Sequence, residues 1–133
     1  MSNTTTAQPR KYVRDLRLDH QEWLNTLRFR KEDVSILERR LEAIVQRNSK
    51  QEVMAELEHF QNRFIREKEV IDELRHDIKQ HENQLEKQGG EDALVMEHGY
   101  ITEHTMLHDR ILTFEKLYRE LKAEFRQWLS MRP

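Results

Sequence analysis

The sequence contains no cysteine and, in 133 residues, only three glycines and two prolines. Without cysteine, disulfides and thiolate chemistry are excluded. Both prolines, Pro9 and Pro133, lie at the ends of the chain, so no proline interrupts a helix between them. The first ten residues hold no apolar signal-peptide core, and no apolar run approaches the length that spans a bilayer. These absences predict a soluble, cytoplasmic protein.

The chain also lacks a dominant charge of one sign. Charged residues make up 36% of the sequence, the formal net charge is −2, and both signs alternate along the chain. Because a phosphate backbone needs a basic face, the sequence predicts no nucleic-acid partner. It contains no glycine-rich phosphate loop, no Ser/His/Asp or Cys/His triad and no zinc-finger spacing, which favours a non-enzymatic protein without an obvious small-molecule substrate.

Hydrophobic residues instead recur with a heptad period, at alternating gaps of four and three residues, which is typical of coiled-coil seams. In the first stretch the seam positions are Leu16, His20, Trp23, Leu27, Arg30, Val34, Leu37, Leu41 and Ile44. In the second stretch they are Val53, Leu57, Phe60, Phe64, Glu67, Ile71, Leu74, Ile78, His81 and Leu85. Two long amphipathic helices are therefore predicted.

A third stretch follows the same period less strictly. Its seam positions are predicted to be Leu94, Glu97 or His98, Ile101, His104, His108, Ile111, Glu115, Tyr118, Lys122, Phe125 and Leu129. Gly99 lies early in this stretch, and it indicates either a kink or the true start of the helix.

These patterns predict an all-α fold, an elongated antiparallel three-helix bundle. A disordered tail is expected over residues 1–10, helix 1 over about 11–47, helix 2 over about 50–88 and helix 3 over about 92–131. Ser49 and Glu52 are predicted to form a capping box for helix 2. In helix length and up-down-up order, the arrangement over residues 11–131 resembles spectrin-like three-helix bundles, and no motif in it implies a function.

Charged residues interrupt each seam near its middle. Antiparallel pairing of the first two seams places Arg30 opposite Glu67, and folding helix 3 back brings Glu115 within about one turn of them. The sequence therefore predicts an ion pair between Arg30 and Glu67 in a structural polar layer with Glu115, whose role is to specify the register.

Histidines occupy seam positions of all three helices near one end of the predicted bundle. Imidazole is the commonest metal ligand in proteins, and side chains from facing helices build the metal sites of bundles. The candidate ligands to a transition metal such as Fe or Zn are His20, His81, His98, His104, His108 and Glu97. Their seam positions are staggered by about 5 Å, which favours the alternative that the histidines only set the register and no cofactor binds.

Two Glu-x-x-His pairs, Glu56 with His59 and Glu73 with His76, have the spacing found in di-metal bundles. At 100° per residue, His59 lies well over 90° from the buried stripe of helix 2 and His76 is nearly opposite it. Both histidines are therefore predicted to face water, and a di-metal site is not favoured.

Further apolar residues lie beside or opposite the seams. They form a line along helix 3 and a stripe on the outer side of helix 1. The line along helix 3 fits ordinary packing within a three-helix bundle, and together with the helix 1 stripe it also fits contact with a second copy of the chain or another helical protein. These residues are Tyr100, Leu107, Phe114, Leu121 and Trp128 in helix 3, and Leu18, Phe29 and Ile36 in helix 1. We therefore expect a self-associating interaction or structural module, with a histidine-rich metal-binding bundle as the alternative.

Overall fold

A computed structural model describes residues 11–47 and 51–132 and shows a three-helix bundle, as predicted. Helix α1 spans Val13–Arg47, α2 spans Gln51–Leu85, and a short 3-10 turn follows over Glu86–Gln88. Helix α3 spans His98–Ser130. The predicted tail and the serine of the capping box, Ser49, lie outside the described residues. None of the described helices is long and apolar enough to cross a membrane.

The seams predicted for α1 and α2 form the core. Leu27 and Val34 of α1 and Phe64 and Ile71 of α2 are fully buried. Of the predicted seam positions in these helices, Arg30 and Val53 alone are only partly buried. A 4–3 spacing in which most of the side chains are apolar therefore suffices to orient both helices.

The seam of α3 differs from the prediction. Its buried residues again alternate at gaps of four and three, and they are Tyr100, His104, Leu107, Ile111, Phe114, Tyr118, Leu121, Phe125 and Trp128. The five helix 3 residues predicted to contact a partner are thus buried in the bundle itself. Of the two alternatives for this line, packing within the bundle is confirmed and a surface for a partner is wrong, because these aromatic and leucine side chains fill the space between α1 and α2.

Residues 89–97, which we call the strap, are not helical. The prediction that helix 3 begins at about residue 92 is therefore wrong. Gly89 starts the strap with φ 121°, a backbone conformation that favours glycine. The strap then crosses the start of α1, where the Val13 amide donates to the Ala93 carbonyl at 2.9 Å and the Val95 amide to the Lys11 carbonyl at 2.8 Å. The non-helical conformation of the strap is stabilised because its Ala93 carbonyl accepts a hydrogen bond from an amide in the first turn of α1, which has no partner within its own helix. Gly99 lies in the first turn of α3.

The strap also changes the register of α3. The predicted neighbour of His81 is His98, but the structure places the Tyr100 ring against the His81 ring with 3.9 Å between centroids. The His104 ring lies 5.3 Å from the same His81 ring. Because residues 89–97 form the strap, the residues of α3 that pack against a given residue of α2 come later in the sequence than predicted.

The polar layer is built differently from the prediction. Arg30 pairs with Glu115, with 2.9 Å between Nη2 and Oε2, and lies over the Tyr118 ring. Within the described part of the chain no ion pair joins Arg30 to Glu67. The predicted Arg30–Glu67 pair is therefore wrong, since the shifted register of α3 offers the guanidinium a closer carboxylate.

Candidate metal centre

Three buried histidines, one from each helix, meet near the strap. His20 of α1, His81 of α2 and His104 of α3 are 1%, 0% and 6% exposed. Side chains lean toward the N-terminus of their own helix. Because α1 and α3 start at the strap and α2 ends there, His20 and His104 lean toward the strap while His81 leans away from it. Together with the shifted register of α3, these side-chain directions bring the three imidazole rings to the same height along the bundle axis, although their backbone positions differ in height.

One nitrogen from each ring points to a common centre. The His20 Nε2 and the His81 Nε2 each lie 3.2 Å from the His104 Nδ1. One ligand nitrogen from each of the three residues lies within 4.8 Å of the others. Two nitrogens bound at 2.0–2.1 Å to one tetrahedral zinc ion are about 3.3 Å apart, so the two distances to the His104 Nδ1 match those of a tetrahedral site.

The outer nitrogen of each ring faces a carboxylate from a different helix. The His20 Nδ1 lies 2.5 Å from Glu82, the His104 Nε2 lies 2.9 Å from Asp19, and the His81 Nδ1 lies 3.3 Å from Glu103. The contacts run from α2 to α1, from α1 to α3 and from α3 to α2. Each helix therefore gives one histidine and one carboxylate, and the three pairs close a ring.

These carboxylates determine which ring nitrogens carry hydrogens. An ionised carboxylate only accepts hydrogen bonds, so the imidazole nitrogen facing it is the N–H donor. For His104 this leaves the inner Nδ1 with a lone pair, which lies 3.2 Å from the inner Nε2 of His20 and from the inner Nε2 of His81. The outer nitrogen of His81 is buried without a hydrogen bond, and Glu103 lies 3.3 Å from it. The lone pair of the His104 Nδ1 can accept a hydrogen bond from a neighbouring ring or bind a metal ion.

Burial keeps two of these rings neutral. Loss of solvation, reinforced by the neighbouring His20 and His104, lowers the pKa of His81 to about 3. Loss of solvation also lowers the pKa of His104, although its hydrogen bond to Asp19 acts in the opposite direction. Neutral imidazole is the form that binds metal ions.

Aromatic rings hold two of the imidazoles in place. The Trp23 ring lies 4.7 Å from the His104 ring, and the Tyr100 ring stacks on the His81 ring at an interplanar angle of 10°. The Tyr100 hydroxyl donates to the His81 carbonyl at 2.7 Å. Ring orientation is therefore fixed from both sides of the cluster.

The structure brings together three of the six predicted ligands. His98, His108 and Glu97 are exposed and lie outside the cluster. The register of α3 explains why Glu97 and His98 are not part of the cluster. They lie at the junction of the strap and α3, away from the level of the buried histidines. Of the Glu-x-x-His histidines, His59 and His76 are exposed, as predicted.

Sequence reasoning missed the carboxylates Asp19, Glu82 and Glu103. A signal existed, since each is the immediate neighbour of a clustered histidine in the chain. The signal is not specific, because exposed histidines such as His59 and His98 also follow a glutamate.

Comparison of the chain with protein-family models, with curated proteins and with solved structures found no match. The likeness to spectrin-like bundles is therefore one of helix order alone, and function has to be argued from the chemistry of the residues.

Proposed function

We propose that this protein binds one divalent first-row transition-metal ion, with Zn²⁺ favoured, through His20, His81 and His104. The observation that carries the proposal is the convergence of one imidazole nitrogen from each helix within 4.8 Å of the others, with two of the three distances at 3.2 Å. Neutral imidazole suits Zn, Cu, Fe and Ni, and the set contains no thiolate that would select a softer ion. A three-histidine set leaves one tetrahedral position for a non-protein ligand.

The surrounding carboxylates support this proposal independently. Metal-ligating histidines usually donate their other N–H to a carboxylate or carbonyl, which orients the ring and raises its basicity. Here all three outer nitrogens face a carboxylate, and Arg17 holds Glu82 in place through a 3.0 Å bond from Nε. The three carboxylates around the cluster also give the centre a negative potential that attracts a divalent cation.

The test is a titration of chelator-treated protein with Zn²⁺, Cu²⁺, Ni²⁺ and Co²⁺, followed by calorimetry. We expect one ion per chain. In a Trp128→Phe variant, Trp23 is the remaining tryptophan, and its fluorescence reports binding at the adjacent histidine cluster. At a free-ion concentration of about 100 times Kd, binding adds about 2.7 kcal/mol to the free energy of unfolding. Tetrahedral Co²⁺ also has an intense visible spectrum that reports its geometry.

Matched variants separate the site from surface binding. His104→Gln removes an inner nitrogen and is expected to abolish stoichiometric binding, whereas His76→Gln changes an exposed histidine and leaves binding intact. Glu82→Gln keeps the ligands but weakens the outer contact, with an expected loss of about 10- to 100-fold in affinity. Binding that is absent, or that is unchanged in His104→Gln, contradicts the proposal.

A second candidate function is self-association through α1. Leu18, Phe29 and Ile36 are 54%, 59% and 48% exposed, and they share the outer side of that helix. Pairing this stripe with a second copy would remove apolar surface from water. Sedimentation of the wild type against Phe29→Lys is the test, with Leu112→Lys on α3 as the matched control. A monomer at all concentrations excludes this candidate.

A further inference from the structure

A groove with a volume of 460 Å³ opens between α2 and α3 in the middle of the bundle. Its apolar walls are formed by Val70 and Leu74 from α2 and by Phe114 and Leu117 from α3. Leu117 is 47% exposed at the rim, whereas Leu74 and Phe114 are buried. Grooves of this size hold small organic molecules and usually combine apolar walls with a few polar groups.

The polar group in this groove is the carboxyl of Glu67. Glu67 lines the groove and is 7% exposed, yet it forms no hydrogen bond or ion pair with any other described residue. Arg30, its expected partner, is taken by Glu115. A buried carboxylate without a partner is costly, and it is rare unless paired.

The cations at the rim are already paired elsewhere. Arg66 contacts Glu69 and Glu73, each at 3.5 Å, and Arg110 contacts Asp77 at 2.9 Å. Arg63 and Arg66 act on Glu67 at longer range without an ion pair, so Glu67 is the buried carboxyl lining the groove that has no ion-pair partner among the described residues. Burial raises the pKa of Glu67, although the charges of Arg63 and Arg66 act in the opposite direction.

We propose that the groove between α2 and α3 binds a small amphipathic amine, whose ammonium group donates to Glu67 and whose apolar body packs on Leu74, Phe114 and Leu117. An ammonium offers three hydrogen-bond donors and a positive charge in direct contact, and Glu67 has neither a hydrogen bond nor an ion pair with the described residues. The apolar walls favour an aliphatic or aromatic body over a polar one. An uncharged molecule of the same shape lacks the ion pair and binds more weakly.

This site is separate from the metal centre. Glu67 and His81 are both on α2, and fourteen residues of helix place them about 21 Å apart. Substitutions in the groove can therefore be tested without disturbing the three histidines, and binding of an amine requires no metal ion.

The experiment is an NMR titration of the whole protein with 2-phenylethylamine and n-hexylamine, each against its alcohol analogue. With either amine at up to about 10 mM, we expect amide shifts near Val70, Leu74 and Phe114, and binding at least about tenfold tighter than that of the matching alcohol. The carboxyl carbon of Glu67 is followed in parallel, because pairing with an ammonium lowers its pKa.

Variants decide whether Glu67 is responsible. Glu67→Gln is expected to lose the preference for amine over alcohol, whereas Glu73→Gln, which alters a carboxylate at the rim, keeps it. Leu117→Gln changes a half-exposed wall residue and is expected to weaken the amines and the alcohols alike. The absence of shifts with both amines, equal binding of amine and alcohol, or an unchanged preference in Glu67→Gln each overturns the proposal.

Discussion

The histidine cluster makes the stability of the metal-free protein depend on pH. The His81 ring is fully buried and faces His20 of α1 as well as Tyr100, Glu103 and His104 of α3. Its pKa falls from 6.5 to about 3 in the folded protein. Between these two values the unfolded chain binds one more proton at this position than the folded chain, so acid favours unfolding.

The size of the effect follows from that difference. The stabilisation is fully present above pH 6.5 and is lost as the pH falls from 6.5 toward 3. Each pH unit in this window costs about 1.4 kcal/mol per titrating group, so His81 alone lowers the free energy of unfolding by about 1.4 kcal/mol between pH 7.5 and 5.5. The lowered pKa of His104 adds to the loss in the same direction.

Urea unfolding of chelator-treated protein, followed by circular dichroism, measures this loss. With slopes of about 1–3 kcal/mol per molar urea, the midpoint is expected to fall by roughly 0.5–1.4 M at pH 5.5. His81→Gln removes the titrating ring and reduces the pH dependence, whereas His76→Gln, on the surface, retains it. A wild-type midpoint that is equal at both pH values refutes the argument that burial keeps these rings neutral.

Three further substitutions test the fold. Gly89→Ala places a methyl 2.7 Å from another side chain at a φ of 121°, so the denaturation midpoint should fall by an amount equivalent to about 1–3 kcal/mol, while Gly90→Ala, with no atom within 4 Å, should be nearly neutral. Phe64→Ala empties a fully buried position and should cost about 3–5 kcal/mol, against about 0.5 kcal/mol or less for the half-exposed Ile65→Ala, both by urea unfolding. Tyr118→Phe removes the hydroxyl that donates a hydrogen bond to the Asp33 carboxylate and should lower the free energy of unfolding by about 1–3 kcal/mol. An unchanged melting temperature would contradict a stabilising role for the Tyr118–Asp33 hydrogen bond.

The heptad pattern predicts α1 and α2 well because their apolar residues fit one period without competition. In α3 two lines of apolar residues share the buried positions His104, Ile111, Tyr118 and Phe125, and periodicity alone selects the wrong residues between them. Ile101 and His108 fit a seam as well as Tyr100 and Leu107 do by spacing. The structure buries Tyr100 and Leu107, because packing volume between two other helices decides which side of α3 turns inward.

Prediction of the candidate site succeeds for the type of residue and for three of the six proposed ligands, and it is wrong for the other three. Seam positions on three helices correctly indicate a histidine cluster at one end, but His98 is offered as a ligand and Asp19 is overlooked. Which residues meet depends on the register of α3, and the strap sets that register. Nothing in a helical period predicts that residues 89–97 leave the helix to cap the start of α1.

The sequence by itself determines three helices and the apolar faces of the first two, because these follow from a local period of side chains. Only the tertiary structure decides that three histidines share one centre, that each receives a carboxylate from another helix, and that Glu67 is left without Arg30. These outcomes depend on axial shifts of about one helical turn between helices distant in sequence. Such shifts are set by packing and by backbone hydrogen bonds of the strap, which no local pattern records.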